Sequence, residues 1–329
     1  MDLSTNYMGI ELPHPMMPGA CPLAYDLGSV KRLEDAGAAA IVMPSLFEEQ
    51  VLREQLAVNT SMVAHNETFA EALDYFPRNE DFKLGPHEYL EKVAAIKRCT
   101  SVPIIASLNG TTGGRWLDYA RMIEQAGADA LELNVYYVAM DPQETGRVLE
   151  DRAVEMVKTI KDSTKLPVAV KLSPFYTSMI HTAGRLVGAG ADALVVFNRF
   201  YQPDIDIEEL EVTRVNLSDP SELLLRLRWL AILSCRVDAS LAVTGGVHSA
   251  VDAVKALMAG ADAVQMVSAL LQRGPEHLMT VREDLERWLV DHEYDSLAQL
   301  RGSMNLENCP NPAAYERGNY VQILQSWTC

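Results

Sequence analysis

One short phrase occurs four times in this chain and constrains its fold more than any other feature. Each copy reads Ala-Gly-Ala, then Ala or Asp, then Ala and an apolar run, and the copies begin at Ala36, Ala126, Ala189 and Ala259. Each copy ends a helical pattern, turns on its glycine and enters a run typical of a buried strand. The strands predicted in this way are 40–44, 131–137, 194–198 and 264–268.

Apolar runs of a second type lie between the copies and are rich in β-branched residues. They cover 102–108, 167–172 and 241–244, and 15–21 precedes the first copy. The copies lie roughly 60 to 90 residues apart, and one strand and helix unit takes about 30 residues, so two units fit each interval. Eight units in series predict an α/β fold, a (β/α)8 barrel. An open doubly wound sheet is the alternative, but a repeat at every second strand favours the closed barrel.

The 329 residues fit one barrel domain, 1–329, with additions. Residues 3–12 predict a short strand pair at the barrel floor. An insertion after strand two, 48–86, is expected to cover the barrel mouth as a lid, although a loop without a role is the alternative. A polar connection at 200–216 lies at the same face, and a C-terminal extension of 294–329 carries a short helix.

Charge and cysteine usage exclude several classes of function. The net charge is −17 and the pI is about 4.8, which disfavours nucleic acid and anionic membranes as partners. The sequence shows neither a leader pattern nor an uninterrupted apolar run of spanning length. The five cysteines form no Cys-x-x-Cys pair, so we expect reduced thiols, no metal site and a cytoplasmic protein.

Polar residues stand at the carboxyl ends of the predicted strands, where barrels bind substrates and cofactors. Lys171 is the most informative because it lies within Val-Ala-Val-Lys-Leu, and a buried ammonium group needs a partner. A structural ion pair with Glu132 is one possibility, and an anionic cofactor or substrate is the other. The full ring comprises Ser45, Ser107, Asn109, Glu132, Asn134, Lys171, Ser173, Asn198, Arg199, Thr244, Gly245, Gly246, Gln265 and Ser268.

The glycine pair Gly245-Gly246 follows strand seven, and Val267-Ser268 follows strand eight. Loops at these two places commonly bind phosphate through backbone N–H groups, and glycine permits close approach. Ser249 is the predicted cap of the next helix. The arrangement therefore favours a bound phosphate, although a plain turn is the alternative.

Several of these motifs, taken in order, resemble the class 1 dihydroorotate dehydrogenases, which are FMN-binding TIM barrels. The resemblance runs from about Leu3 to Leu271. It rests on the opening 15–20, on Glu132-Leu133-Asn134, on Val170-Lys171-Leu172-Ser173-Pro174, on Asn198, on Gly245-Gly246-Val247 and on the run 260–265.

The resemblance implies FMN at the barrel mouth. It places Gly19, Ala20 and Ser45 beside the isoalloxazine ring, Asn109 and Asn134 as hydrogen-bond donors around it, and Lys171 at its N1/O2 edge. A fixed cation at that edge stabilises the negative charge of the reduced ring. Gly245, Gly246, Val267 and Ser268 would hold the phosphate. Asn134, Asn198 and Arg199 would contact the substrate.

The chain departs from the family at the substrate and base positions. The family's Cys or Ser base lies three residues after the strand-four asparagine, where this chain has Tyr137, and a second asparagine is replaced by Ala139. A tyrosine is a poor base near neutral pH unless a cation lowers its pKa. Pro44 replaces the expected lysine. Arg199 replaces a hydroxyl residue and favours an anionic ligand, or else pairs with Asp204 or Asp206.

The resemblance implies an FMN-dependent oxidoreductase acting on CH–CH groups. It would move a hydride between flavin N5 and a small anionic substrate, dihydroorotate or a related compound, in keeping with the family's role in pyrimidine biosynthesis. Lys171 and Tyr137 would be catalytic. Two alternatives stay open: a flavin-free sugar-phosphate lyase or isomerase, and a catalytically silent flavin-binding subunit. A homodimer and a redox partner subunit are the expected assemblies.

Overall fold

Eight parallel strands and the helices between them form the body of the protein. The computed structural model describes residues 1–48, 50, 85–110, 116–199, 203–213, 217–317 and 319–326. The barrel strands are β3 (Met16–Pro18), β4 (Ile41–Phe47), β5 (Ile104–Asn109), β6 (Ala130–Asn134), β7 (Val168–Lys171), β8 (Ala193–Val196), β11 (Ser240–Thr244) and β12 (Ala263–Met266). Two antiparallel pairs add β1 (Thr5–Tyr7) with β2 (Ile10–Leu12), and β9 (Asp204–Asp206) with β10 (Glu211–Thr213).

Helices alternate with the barrel strands and cover the outside of the sheet. They are α1 (Leu27–Asp35), α2 (Pro86–Cys99), α3 (Trp116–Gln125), α4 (Gly146–Ser163), α5 (Met179–Gly188), α6 (Leu223–Leu233), α7 (Ala250–Ala259), α8 (Ser268–Arg273), α9 (His277–Asp291), α10 (Leu297–Leu300) and α11 (Asn319–Ser326). The described residues also contain three short 3-10 helices, Pro22–Ala24, Pro220–Glu222 and Pro312–Tyr315.

The strand order confirms the barrel. Neighbouring strands follow the series β3-β12-β11-β8-β7-β6-β5-β4, and all the pairs are parallel. The two ends of this series meet where the Ala39 N–H donates to the Met16 carbonyl over 3.0 Å, immediately before β4. The sheet therefore curls back on itself, and the open doubly wound alternative is wrong.

The repeated phrase has a structural purpose that its spacing alone did not reveal. Its aspartate caps the start of the preceding strand: Asp129 accepts from the Ile104 N–H, Asp192 from the Val168 N–H and Asp262 from the Leu241 N–H, each over 2.7 Å. Each aspartate also pairs with a cation at 2.7 Å, and these cations are Lys97, Lys161 and Arg301. The predicted turn glycines all have left-handed backbones.

The first copy of the phrase carries Ala39 where the others carry aspartate. Here the strand-initiating N–H of Met16 donates instead to Nδ1 of His14 over 3.2 Å. Burial, reinforced by nearby Arg282, lowers the pKa of His14 to about 4, so the ring is neutral at physiological pH. A neutral imidazole thus takes over the acceptor function of the missing carboxylate.

The strand pair β1–β2 closes the lower end of the barrel, as the sequence predicts. The lower inward positions are small, and Tyr7 and Met8 pack among them. These positions are Ala130, Ala169, Ala193, Ala242 and Ala263. Alanine leaves the room that the tyrosine ring and the methionine need, so the barrel interior is filled from below.

The connections at the upper end agree in part with their predictions. Pro86 occupies the first turn of α2, and Ser249 caps α7 together with Asp252. The polar connection 200–216 contains the hairpin β9–β10, which composition did not indicate. The lid predicted for 48–86 lies almost wholly outside the described residues. The extension from 294 onward contains α10 and α11.

Candidate functional site at the barrel mouth

Strand register brings three predicted site residues side by side. Asn109 at the end of β5 pairs in register with Asn134 at the end of β6, and Asn134 pairs with Lys171 at the end of β7. Residues at matching positions of neighbouring parallel strands point to the same side of the sheet. Two amides and an ammonium group therefore line one arc of the barrel mouth.

Lys171 lies just above the alanine layer and has a buried partner. Its Nζ lies 3.4 Å from Oε1 of Glu132, and Lys171 is 7% exposed whereas Glu132 is 1% exposed. The other carboxylate oxygen of Glu132 accepts from Nε2 of Gln265 over 2.7 Å. The structural ion pair foreseen as one possibility is thus present. It occupies one of three ammonium donors, so Lys171 can also bind a ligand.

The opposite arc, formed by β3 and β12, contains an amide oxygen without a partner. Oε1 of Gln265 is buried and has no hydrogen-bond partner within the described chain. A side chain at Gly19 would collide there, because an added Cβ would lie 2.9 Å from Cγ2 of Val267 and 3.3 Å from Oε1 of Gln265. Glycine at this position therefore keeps the mouth open beside an acceptor that a ligand can satisfy.

Cys21 follows Gly19 and Ala20 and lies close enough to Lys171 to feel its charge. Burial nevertheless raises the pKa of the Cys21 thiol, with Lys171 opposing that rise only weakly. The thiol is therefore protonated near neutral pH.

Two side-chain pairs fix further polar groups at the mouth. Asn198 donates from Nδ2 to Oδ1 of Asn134 over 2.8 Å, which joins two predicted substrate contacts. Ser45 and Ser107 approach each other at 2.8 Å through their hydroxyl oxygens. Tyr89, on α2, exchanges hydrogen bonds with the backbone of Ser107 and holds the end of β5 in place.

The predicted phosphate loops form a cup that includes one residue absent from the sequence prediction. Gly245 and Gly246 have left-handed φ values of 87° and 81°. The hydroxyl oxygens of Ser218 and Ser268 lie 2.8 Å apart, and the backbone N–H of Ser218 donates to Ser268 Oγ over 2.9 Å. The Gly246 N–H donates to Ser218 Oγ over 3.4 Å. In the sequence, the one local signal for Ser218 is its place before Asp219-Pro220, which is typical of a turn.

The glycine pair is required by packing as well as by backbone conformation. A Cβ on Gly245 would lie 2.6 Å from Nη2 of Arg226, and one on Gly246 would lie 2.5 Å from the backbone nitrogen of Leu223. His248, two residues further on, is buried, and its Nε2 has no partner among the residues described. The cup thus offers a hydroxyl pair beside two tightly packed glycines, and a buried ring nitrogen without a partner lies two residues further along the chain.

Two arginines beside the cup share a single carboxylate. Arg199 Nε lies 3.3 Å from Oε1 of Glu222, and Arg226 Nη2 lies 3.6 Å from Oε2. The expected pairing of Arg199 with Asp204 or Asp206 is therefore wrong, since the chain turns so that Glu222 faces it. Asp219 also lies close enough to Arg199 for the arginine to help lower the pKa of that carboxyl, so the two arginines face two carboxylates.

Tyr137 stands at the outer edge of the mouth. It is 41% exposed, its hydroxyl donates to Oε2 of Glu144 over 2.8 Å, and the Arg152 guanidinium lies 5.6 Å from the ring centre. The hydrogen bond to Glu144 raises the pKa of Tyr137, so the phenol is protonated near neutral pH. Its predicted role as the base stays a prediction.

The described residues contain no cluster of three or more His, Cys, Asp or Glu side chains able to hold a metal ion. Within the same residues, no helix combines the length and apolar character needed to cross a lipid bilayer.

A closed parallel barrel with a buried lysine and two asparagines at the carboxyl ends of its strands defines the class of (β/α)8 barrels that carry their functional site at that end. The model of the dihydroorotate dehydrogenase family matches residues 82–289, which is more than half of the chain. The chain belongs to the dihydroorotate dehydrogenase family, a family of flavin-dependent oxidoreductases.

Curated relatives agree with this assignment over nearly their whole length. The catalytic subunit of dihydroorotate dehydrogenase B (NAD(+)) from Methanothermobacter thermautotrophicus is 28% identical, across 91% of this chain and 97% of that protein. The protein of the same name from Methanocaldococcus jannaschii is 27% identical, across 88% and 94% respectively. The family assignment does not favour the flavin-free lyase or the silent subunit.

Proposed function

We propose that this chain is an FMN-dependent oxidoreductase of the dihydroorotate dehydrogenase type. It would transfer a hydride between flavin N5 and a small anionic substrate, dihydroorotate or a related compound of pyrimidine biosynthesis. The single observation that carries the proposal is the buried Lys171–Glu132 pair at the mouth. Lys171 contacts only Oε1 of Glu132, because Oε2 accepts from Gln265. The ammonium group therefore keeps N–H donors for a negatively charged ring edge.

The residues present fit FMN. At one end, the cup of Gly245, Gly246 and Ser268 suits a phosphate, and the buried Nε2 of His248 lacks a partner. At the other end, Gln265 Oε1 offers an unused acceptor beside Gly19, where a flavin ring N–H can bind. When bound, FMN supplies the hydride-accepting centre. Ala20, Ser45, Asn109 and Val267 complete the proposed binding set.

The proposed contribution of Lys171 is electrostatic. Its ammonium group has a fixed position because Glu132 holds it, and no reorganisation is needed when negative charge develops nearby. Burial strengthens this interaction compared with the same pair in water. Asn134 and Asn198, fixed against each other, would orient the substrate, and Arg199 would bind its anionic group.

The hydroxyl of Tyr137 is the proposed proton-transfer group. A raised pKa excludes a standing phenolate, but the hydroxyl can accept a substrate proton while its own proton moves to Glu144. Arg152 pairs with Glu144 at 2.7 Å and lowers the pKa of that carboxyl, which keeps it ionised before the transfer but makes it a weaker proton acceptor.

Electrons must leave the flavin to complete a turnover. The curated relatives are named catalytic subunits of an NAD(+)-linked enzyme, and we propose that this chain likewise passes electrons to a partner subunit. The homodimer and the cytoplasmic location stay predictions from the sequence.

The decisive experiment is a visible absorbance spectrum of the purified protein, followed by anaerobic addition of dihydroorotate. Flavin absorbance, FMN released on heating, and bleaching by dihydroorotate are the expected results. Colourless protein that takes up no added FMN contradicts the cofactor assignment. Yellow protein that dihydroorotate does not bleach contradicts dihydroorotate itself, while related small anions stay as substrates to be tried.

A further inference from the structure

A cavity of about 340 Å³ lies beside the mouth, between the segment after β6, the first turns of α4 and the segment after β7. Its walls are mainly apolar and aromatic, and its volume is within the range of pockets that bind small molecules. The wall residues that matter here are Val138, Ala139, Leu149, Met156, Phe175 and Tyr176.

This cavity lies beside the proposed active site, among the segments that follow β5, β6 and β7. Three of its lining residues closely follow mouth residues in the sequence: Gly110 follows Asn109, Val135 follows Asn134, and Ser173 stands two places beyond Lys171. A molecule held by the asparagines and by Lys171 therefore has the cavity at its side. Tyr137, the proposed proton-transfer residue, also lines it.

The charged groups in the cavity wall are neutralised by partners. Arg152 pairs with Glu144 at 2.7 Å, and Glu150 lies 3.8 Å from Arg185. The Tyr137 hydroxyl is likewise bonded to Glu144. Since the wall presents no free charge from these groups, it selects for apolar surface, and its tyrosine and phenylalanine rings favour a flat aromatic partner.

We propose that this cavity binds an aromatic group on the substrate, whose anionic reacting end lies at Lys171 and Arg199. The proposal rests on the proposed function and extends its substrate class from dihydroorotate to small anions that carry an aryl substituent. Ala139 supports it, because the resemblance puts a ring-binding asparagine there and this chain has an apolar methyl group in its place.

Two matched ligands test the proposal: cinnamate, and acrylate, which has the same unsaturated carboxylate without the phenyl ring. Their dissociation constants are measured by isothermal titration calorimetry on the purified protein as isolated. We expect cinnamate to bind at least about tenfold more tightly than acrylate, because burying a phenyl ring contributes at least that factor.

Filling the cavity must abolish this preference. Gly146 lines the cavity, and an added Cβ there meets no atom within 4 Å, so Gly146→Phe can place a side chain at the cavity without a clash at Cβ. Ala153→Leu fills the cavity from about two turns further along α4. Gly184→Phe is the control, since Gly184 on α5 is also exposed with free space at Cβ but lies outside this wall.

We expect the ratio of the acrylate to the cinnamate dissociation constant to be near one in both filling variants and unchanged in Gly184→Phe. Circular dichroism verifies that each variant is folded. A wild-type ratio near one overturns the proposal, and so does a preference that survives in a folded filling variant or that disappears in the control. Flavin content reports separately on the proposed function: colourless protein that still prefers cinnamate retires the redox assignment and leaves the aromatic pocket standing.

Discussion

Lys171 and Glu132 form a buried ion pair inside the barrel, so each charge compensates the other. Removing one partner strands a buried charge, which typically destabilises a protein by about 3–5 kcal/mol. We expect Lys171→Gln to lose free energy of unfolding of that order in urea titrations. The double variant Glu132→Gln/Lys171→Gln should recover most of it, because no buried charge is left unpaired.

The same two variants separate stability from function. Both lack the cation, so both should reduce flavin roughly 100-fold to 1,000-fold more slowly under anaerobic stopped flow, by analogy with removal of one stabilising group. Fast reduction in the stable double variant would show that the lysine serves the fold alone.

The proposed proton transfer depends on the hydroxyl group of Tyr137. Tyr137→Phe removes the hydroxyl and keeps the ring, so we expect the flavin reduction rate to fall about 100-fold or more while FMN content is unchanged. The matched control is Tyr136→Phe, one residue earlier. An unaltered rate and an unaltered pH profile in Tyr137→Phe would exclude the proton relay.

Sequence reasoning reached these residues because strand ends converge in a barrel, and a lysine within an apolar strand stands out. It missed Ser218 and mispaired Arg199, because both depend on how the segment before α6 folds back onto the cup. No local pattern records such a tertiary contact. The raised pKa of Tyr137 likewise depends on Glu144, seven residues away across an irregular segment.

At the scale of elements, the aspartates of the repeat act as strand caps. Asp192→Ala leaves the buried N–H of Val168 without an acceptor, which should lower the free energy of unfolding by about 1–3 kcal/mol. Asp35→Ala is the control: it removes only an exposed pair with Lys31 and should change stability by no more than about 1 kcal/mol. Equal effects in urea denaturation would refute the capping role.

His14 replaces such an aspartate in the first copy and brings a pH dependence. Its folded-state pKa is about 4, below the ordinary value of 6.5, so between these values the unfolded chain binds more protons. The stability that His14 contributes is complete above pH 6.5 and is lost as pH falls towards 4, a loss on the order of 3 kcal/mol.

Urea midpoints measured across that pH range test the effect. His14→Gln keeps a polar acceptor that does not titrate, so its stability should fall less steeply on acidification than that of wild type. His87→Gln, at an exposed surface histidine, should follow wild type. Parallel curves for all three proteins would contradict the assignment.

The repeated phrase marks the positions of these aspartates in the sequence but does not indicate that they cap strands. The glycine and the apolar run are visible locally, whereas the Asp192 carboxylate accepts a hydrogen bond from a strand start more than twenty residues earlier. The replacement of aspartate by His14 crosses a similar distance and follows no motif. The hairpin β9–β10 escaped notice because its charged residues obscure the alternation of a strand.

Across the whole molecule, the cup joins the segment before α6 to the loops after β11 and β12. A ligand that binds it should therefore stabilise the entire fold, by about 2.7 kcal/mol at a concentration one hundred times its dissociation constant. Gly246→Ala should abolish this FMN-dependent rise in melting temperature, because the new methyl group meets the Leu223 backbone.

Gly9→Ala is the matched control for that experiment. Gly9 also has a positive φ, of 78°, but no atom lies within 4 Å of an added Cβ. Gly9→Ala therefore measures the effect of backbone strain without a steric collision. Retention of the full FMN effect in Gly246→Ala would place the phosphate elsewhere.

The alanine-lined floor has a practical consequence for anyone preparing this protein. Trimming the first dozen residues would remove Tyr7 and Met8 and leave an apolar hollow at the lower end of the barrel. Affinity tags and crystallisation variants should therefore extend the amino terminus and never shorten it.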